Sequence, residues 1–176
     1  VVSFYGKLAH AQTRGTFVSG EGETVGEKPG ETYRSCYGTP CSANNTAFLL
    51  NLRLMLARES FDFETGLPRG LYLAHATPRQ WLEDGKTIRV DNAPTCFGPL
   101  RYSITSKIAS GSVVARISVP GRDLISELKI RFRLPKPYRL SGTTVNGESY
   151  ERFDSDKETI DLTGLKGTIE IVATCK

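Results

Sequence analysis

Phe48-Leu49-Leu50-Asn51-Leu52-Arg53-Leu54-Met55-Leu56-Ala57 is the stretch on which the fold turns. Read at helical period, its apolar residues together with Ala47 cover nearly the whole circumference. A helix of that kind is buried on several sides. Ser42 or Asn44 supplies a cap, and the pattern predicts a helix from there to about Glu59. Ser60 to Gly70 reads as a junction, and beyond it the period changes to that of strands.

Leu71 to Ala76 is the first strand signal. Thr77-Pro78-Arg79-Gln80-Trp81-Leu82 reads as a short helical turn, with Thr77 as cap and Pro78 at the first helical position. Thr87 to Asp91, Leu100 to Ile104 and Val113 to Val119 alternate apolar and polar residues. Leu128 to Leu134 is the cleanest alternation, and it carries Lys129, Arg131 and Arg133 on its polar side. Tyr138 to Leu140 follows, and then Thr144 to Tyr150, whose Asn146-Gly147 is a strong hairpin signal. Thr159 to Leu162 and Thr168 to Ala173 complete the series. About eight strands at this spacing, each with one apolar face, predict an antiparallel β-sandwich. No internal repeat of fixed period is visible.

Upstream, Val1, Phe4, Tyr5 and Leu8 follow the i, i+3, i+4, i+7 template, so a first helix is predicted over residues 1 to about 13. Gly15 ends it. From Gly15 to Pro40 the pattern breaks down, with breakers at Gly20-Glu21-Gly22-Glu23 and Pro29-Gly30. A long connection without regular structure is uncommon in a compact domain and tends to be functional or disordered. Its aromatics Phe17, Tyr33 and Tyr37 argue for docking. The expected fold class is therefore mainly β, an antiparallel sandwich over 71–176 preceded by two helices over 1–60. A helix pair cannot bury its apolar faces alone, so the two helices read as the end of a larger helical domain.

Charge and composition narrow the function. Net charge is +4, from 23 basic against 19 acidic residues, which is too balanced to call for a nucleic-acid partner. The Lys129-Arg131-Arg133 series reads as the solvated face of a sheet rather than a phosphate-binding stripe. No apolar run is long enough to cross a bilayer, because Asn51 and Arg53 interrupt the best one. Val1 opens directly into a helical pattern with no signal peptide. Cys36, Cys41, Cys96 and Cys175 form neither a C-x-x-C pair nor a zinc-spaced set, and three full pairings are open to them. No metal or cofactor is called for. Asn44-Asn45-Thr46 matches a glycosylation sequon but stands where a helix cap is needed. Serine-hydrolase elbows, zinc-protease motifs, phosphate loops and dinucleotide fingerprints do not occur.

Three stretches carry a resemblance. The first is Phe4-Tyr5-Gly6-Lys7-Leu8-Ala9-His10 through Thr16-Phe17-Val18-Ser19-Gly20-Glu21-Gly22. The second is Ala76-Thr77-Pro78-Arg79-Gln80-Trp81-Leu82, continuing to Asn92-Ala93-Pro94-Thr95-Cys96-Phe97-Gly98-Pro99. The third is Ile130-Arg131-Phe132-Arg133-Leu134-Pro135 with Val145-Asn146-Gly147, Ile160-Asp161-Leu162 and Gly167-Thr168-Ile169-Glu170-Ile171. Together they resemble the C-terminal region of large bacterial glycoside hydrolases of the rhamnosidase-like kind, in which an (α/α)6 toroid of six helical hairpins is followed by a β-sandwich. The resemblance implies an accessory region that buttresses a catalytic toroid. It also implies upstream helices and a carbohydrate as partners, no cofactor, and a secreted or periplasmic location. The remaining toroid helices are absent, so catalytic activity is expected of the parent enzyme and not of this region alone. An autonomous carbohydrate-binding module and a non-enzymatic interaction domain are the competing readings.

Glycoside hydrolysis uses two carboxyls flanking the sugar bond. Glu21 and Glu23 are the candidate catalytic carboxyls, set among glycines that let backbone approach a ligand. The plainer alternative is that they solubilise a surface loop. Tyr33, Arg34 and Tyr37 are the candidate substrate-binding residues, since aromatics stack on sugar rings and arginine donates to hydroxyls or carboxylates. Packing of the loop is the alternative. His10 and His75 read as structural histidines, and Trp81 as a domain-interface anchor.

Overall fold

The computed structural model describes residues 18–20, 22–25, 34–37, 40–122 and 124–176. The chain divides into two compact units, Val1–Leu54 and Met55–Lys176. The predicted first helix lies outside the described residues, as do Glu21, Tyr33 and His10.

In the first unit the segment read as irregular contains a hairpin. Strands β1 (Gly22–Val25) and β2 (Arg34–Tyr37) pair antiparallel, with Glu23 opposite Cys36 and Val25 opposite Arg34. The breakers that flank the strands hid them: neither four-residue segment alternates cleanly enough to be read as a strand. Helix α1 runs Ser42–Leu56. Asn44 donates its side-chain amide to the Gly20 carbonyl, and the Cys41 N–H donates to the Ser19 carbonyl at 2.7 Å. Burial on several sides is not what α1 shows. Among its residues only Met55 is buried, and Leu49, Leu50 and Leu54 are 63%, 51% and 40% exposed.

Helix α1 also stops earlier than Glu59. At Ala57 the chain enters β3 (Ala57–Phe61), which pairs antiparallel with β4 (Pro68–Leu73). Pairing with a buried strand outweighs the helical period of the sequence here. Asp62 closes the connecting turn by accepting the Thr65 N–H at 2.9 Å. Gly70 is required at the centre of this sheet, because a Cβ there would lie 2.6 Å from Ser60 Oγ and 3.2 Å from the Glu127 carbonyl oxygen. The Thr77 cap is also corrected. Thr77 Oγ1 bonds back to the Ala74 carbonyl, and Pro78 precedes a 3-10 turn, Arg79–Leu82, in which no side chain caps the end.

The second unit is mainly β and sandwich-like. Its remaining strands are β5 (Thr87–Thr95), β6 (Gly98–Lys107), β7 (Ser112–Ser118), β8 (Glu127–Arg131), β9 (Leu140–Val145), β10 (Glu148–Ser149), β11 (Phe153–Asp154), β12 (Thr159–Asp161) and β13 (Thr168–Cys175). One sheet has six strands in the order β10-β9-β13-β7-β6-β5, and the other five in the order β11-β12-β8-β4-β3. The total exceeds eight because β3, β10 and β11 are short or lie in segments without alternation. Among the described residues all pairs are antiparallel except one: β4 and β8 run parallel, Leu71 beside Leu128 and Leu73 beside Ile130. Alternation dictates the core. In β8 Leu128 and Ile130 point inward, and in β13 Ile169, Ile171, Ala173 and Cys175 do. They join Leu71, Leu73, Tyr102, Ile104, Ile117 and Phe132 in a single apolar cluster built from both sheets. Each such side chain contributes on the order of 1.5–3 kcal/mol by leaving water. The Asn146-Gly147 turn between β9 and β10 has both residues at positive φ, 52° and 87°, as its sequence predicts. The edge strand β5 carries Pro94 and the charged Arg89 and Asp91, which discourage further pairing.

Candidate functional site

The outer face of the five-stranded sheet holds the densest polar chemistry of the second unit. Inward alternation of β8 turns Lys129 and Arg131 to this face, and β4 places Tyr72 beside Lys129. On the other flank β12 sets Asp161 beside Lys129 and Thr159 beside Arg131. The result is a groove of about 500 Å³ whose walls include Tyr72, His75, Lys129, Phe153, Thr159 and Asp161.

Tyr72 is the groove's aromatic centre. Its ring meets the His75 ring edge-on, centroids 5.7 Å apart at 62°, and Arg58 Cζ stands 5.5 Å from its centroid. The Tyr72 hydroxyl donates to Glu127 Oε2, and Lys129 Nζ donates to Glu127 Oε1. The bonds from Lys129 and Tyr72 hold the Glu127 carboxyl below the usual range, and the same Glu127 bond raises Lys129. Burial pushes the Tyr72 phenol up, and the bond to Glu127 adds to it.

The opposite wall is self-compensated. Asp161 accepts from Arg152 Nη2 at 2.9 Å and from the Thr163 N–H at 2.9 Å. Burial opposes its charge, but these bonds prevail and its carboxyl titrates below the usual range. Asp154 is likewise held low by the Lys157 backbone N–H and ammonium. Both carboxyls are therefore acceptors and ion-pair partners near neutrality, unsuited to donate a proton as a glycosidase acid must.

Beyond His75 the face becomes positive. Arg79 grips Glu158 with two bonds, 2.5 Å and 3.1 Å, and Arg131 Nη2 approaches the same carboxylate at 3.8 Å. Arg133 Nη1 donates to the Thr77 carbonyl at 3.0 Å, and Arg131 Nη1 to the His75 carbonyl at 3.3 Å. The Nε atoms of Arg131 and Arg133 are buried without a hydrogen-bond partner. Burial pushes the His75 imidazole below its ordinary range, and the guanidiniums of Arg131, Arg58 and Arg133 push it the same way. The basic series is thus not a solvated face. The Arg131 side chain is only 28% exposed, and its strand is flanked by His75 and the Glu158 turn.

The sites predicted from sequence stand elsewhere. Glu23, Arg34 and Tyr37 fall on the β1–β2 hairpin of the first unit, where Tyr37 is opposite Gly22 and Arg34 opposite Val25. Trp81 packs half-buried against the core of the second unit. Sequence reasoning missed the groove. Its one legible signal was the alternation that sets Lys129, Arg131 and Arg133 on a common face. The partner carboxylate, Glu158, sits in a turn far along the chain and has no local mark.

Cys41 and Cys175 are free thiols. Among the described residues no cluster of histidine, cysteine or carboxylate side chains could hold a metal, and no helix is long and apolar enough to cross a membrane. No family model matches the chain, and no curated protein matches it.

Proposed function

We propose that the chain is a C-terminal accessory region of a carbohydrate-active enzyme, a rhamnosidase-like glycoside hydrolase whose helical toroid packs against α1. The observation that carries this reading is the apolar surface of α1, where Leu49, Leu50 and Leu54 are all exposed, since neighbouring exposed apolar side chains mark an interaction surface. The sandwich-like unit is then a rigid buttress, and the β1–β2 hairpin lends Glu23, Arg34 and Tyr37, with Glu21 and Tyr33, to the rim of the sugar site. The parent reaction is cofactor-free hydrolysis of a glycosidic bond by two carboxylates.

The test uses the full encoded polypeptide on a panel of polysaccharides and aryl glycosides. Glycosidase activity that falls at least about tenfold when Leu49 and Leu50 are both changed to Ser supports the reading, since ~1.4 kcal/mol is a factor of ten. Absence of any glycosidase activity in the unsubstituted polypeptide refutes it. Glu21→Gln combined with Glu23→Gln should lower kcat/KM if the hairpin reaches the sugar.

A second reading, a carbohydrate-binding module, is favoured by the groove around Tyr72. An aromatic ring among paired donors and acceptors is the chemistry that holds a sugar.

A further inference from the structure

The groove around Tyr72 is crossed by one register row. Tyr72 of β4 stands beside Lys129 of β8, and Lys129 beside Asp161 of β12. The Asp161 N–H donates to the Arg152 carbonyl at 2.9 Å, which puts Arg152 at the far end of the row. All four residues line the groove. With about 4.8 Å between neighbouring strands the row is about 14 Å long. Every cation of the lining has a carboxylate of its own: Lys129 has Glu127, Arg152 has Asp161 and Lys157 has Asp154. The lining also carries the carboxylate of Glu151, which accepts from Ser149 Oγ. An anion therefore meets no unpaired cation here. Hydrogen-bonding capacity, by contrast, is left over, because an ammonium has three donors and a carboxylate about four acceptor sites. Lys129 Nζ donates to Glu127, and Asp161 Oδ2 accepts from Arg152, each with capacity to spare. The row thus sets spare donors beside spare acceptors without spare charge. A hydroxyl both donates and accepts, so it can bridge the Lys129 ammonium and the Asp161 carboxylate without breaking either ion pair.

We propose that the groove binds a neutral oligosaccharide laid across the strands along this row, one sugar ring against Tyr72 and the hydroxyls of the next on Lys129 and Asp161. The inference rests on the carbohydrate-binding reading above and adds the charge class of the sugar and its direction on the sheet. An acidic sugar would set its own charge beside Asp161 and Glu151 with no free cation to receive it, and an amino sugar would compete with Lys129 and Arg152 for carboxylates already taken.

The 176-residue chain is titrated calorimetrically with neutral trisaccharides of glucose, xylose, mannose and galactose, with trigalacturonate, and with the trimer of glucosamine. The proposal expects at least one neutral trimer to bind at least about tenfold more tightly than either charged one, with an affinity that changes less than about twofold between low and high salt. Tyr72→Ala and Lys129→Gln should each weaken that trimer by about tenfold, with thermal unfolding confirming that both variants are folded. Should either fail to fold, Asp161→Asn takes its place. A charged trimer that binds as tightly as the neutral ones overturns the proposal and leaves the carbohydrate-binding reading standing. Neutral binding that survives the substitutions overturns the assignment to this row. No binding of any trimer overturns the proposal and the carbohydrate-binding reading together. None of these outcomes touches the glycosidase assay of the full polypeptide.

Discussion

Arg79 and Glu158 form a two-bonded ion pair in which the carboxylate is almost fully buried and the guanidinium also donates to the Leu134 carbonyl. The pair ties the 3-10 turn after β4 to the turn before β12. Glu158 adopts a positive φ of 56°, and its own carbonyl accepts the Phe132 N–H at 2.8 Å. One residue thus closes a turn and anchors the arginine cluster.

Removing that carboxylate strands the Arg79 guanidinium and takes from Arg131 the carboxylate 3.8 Å from it. Glu158→Gln should destabilise the second unit by about 2–3 kcal/mol, below the ~3–5 kcal/mol of a fully buried pair because Arg79 is partly solvated. Urea unfolding followed by Trp81 fluorescence measures it. A loss under about 0.5 kcal/mol would show that the pair is not a structural tie.

The His75 environment sets a pH dependence. Burial and three arginines hold its folded-state pKa below 6.5, so between that lowered value and ~6.5 the unfolded chain binds the additional proton. Stability is full above pH 6.5 and falls as pH drops through that window. His75→Gln should flatten the slope there, read as unfolding midpoints between pH 5 and 8. A slope unchanged by the substitution contradicts the assignment.

Helix and sheet leucines should respond to very different degrees. Leu73→Ala removes a fully buried side chain and should cost about 2–5 kcal/mol. Leu49→Ser, at a position 63% exposed, should change the stability of the chain by less than about 0.5 kcal/mol. Calorimetric melting of both variants decides it.

Cysteine labelling should be ordered by burial. Burial pushes the Cys175 thiol up to about 11, and the residue is 5% exposed at the end of β13. It should react with iodoacetamide only after unfolding, whereas the partly exposed thiol of Cys41 should label in the native chain. Peptide mass mapping before and after urea checks this.

Much of the sheet was legible because one face of each strand is buried. Leu128-Lys129-Ile130-Arg131 and Ile169-Glu170-Ile171 declare both strand and face by alternation alone, and Asn146-Gly147 declares its turn. Strand β3 was not legible, because Ala57-Arg58-Glu59 continues a helical stripe and only pairing with β4 makes it extended. The parallel neighbours β4 and β8 carry no local signature, since register between distant strands is set by the core. The candidate site was least legible. Lys129 and Arg131 looked like ordinary surface charge until His75 and Glu158 closed around them, and those neighbours come from turns whose direction depends on the finished sheets.

The side-by-side course of β4 and β8 carries a kinetic consequence. Gly70 meets Glu127 only after the chain has traversed β5, β6 and β7, so the smaller sheet is completed by a segment synthesised much later than the one it joins. On an emerging polypeptide the β3–β4 hairpin must wait with one flank open, and premature release before residue 127 leaves that flank available to a neighbouring chain.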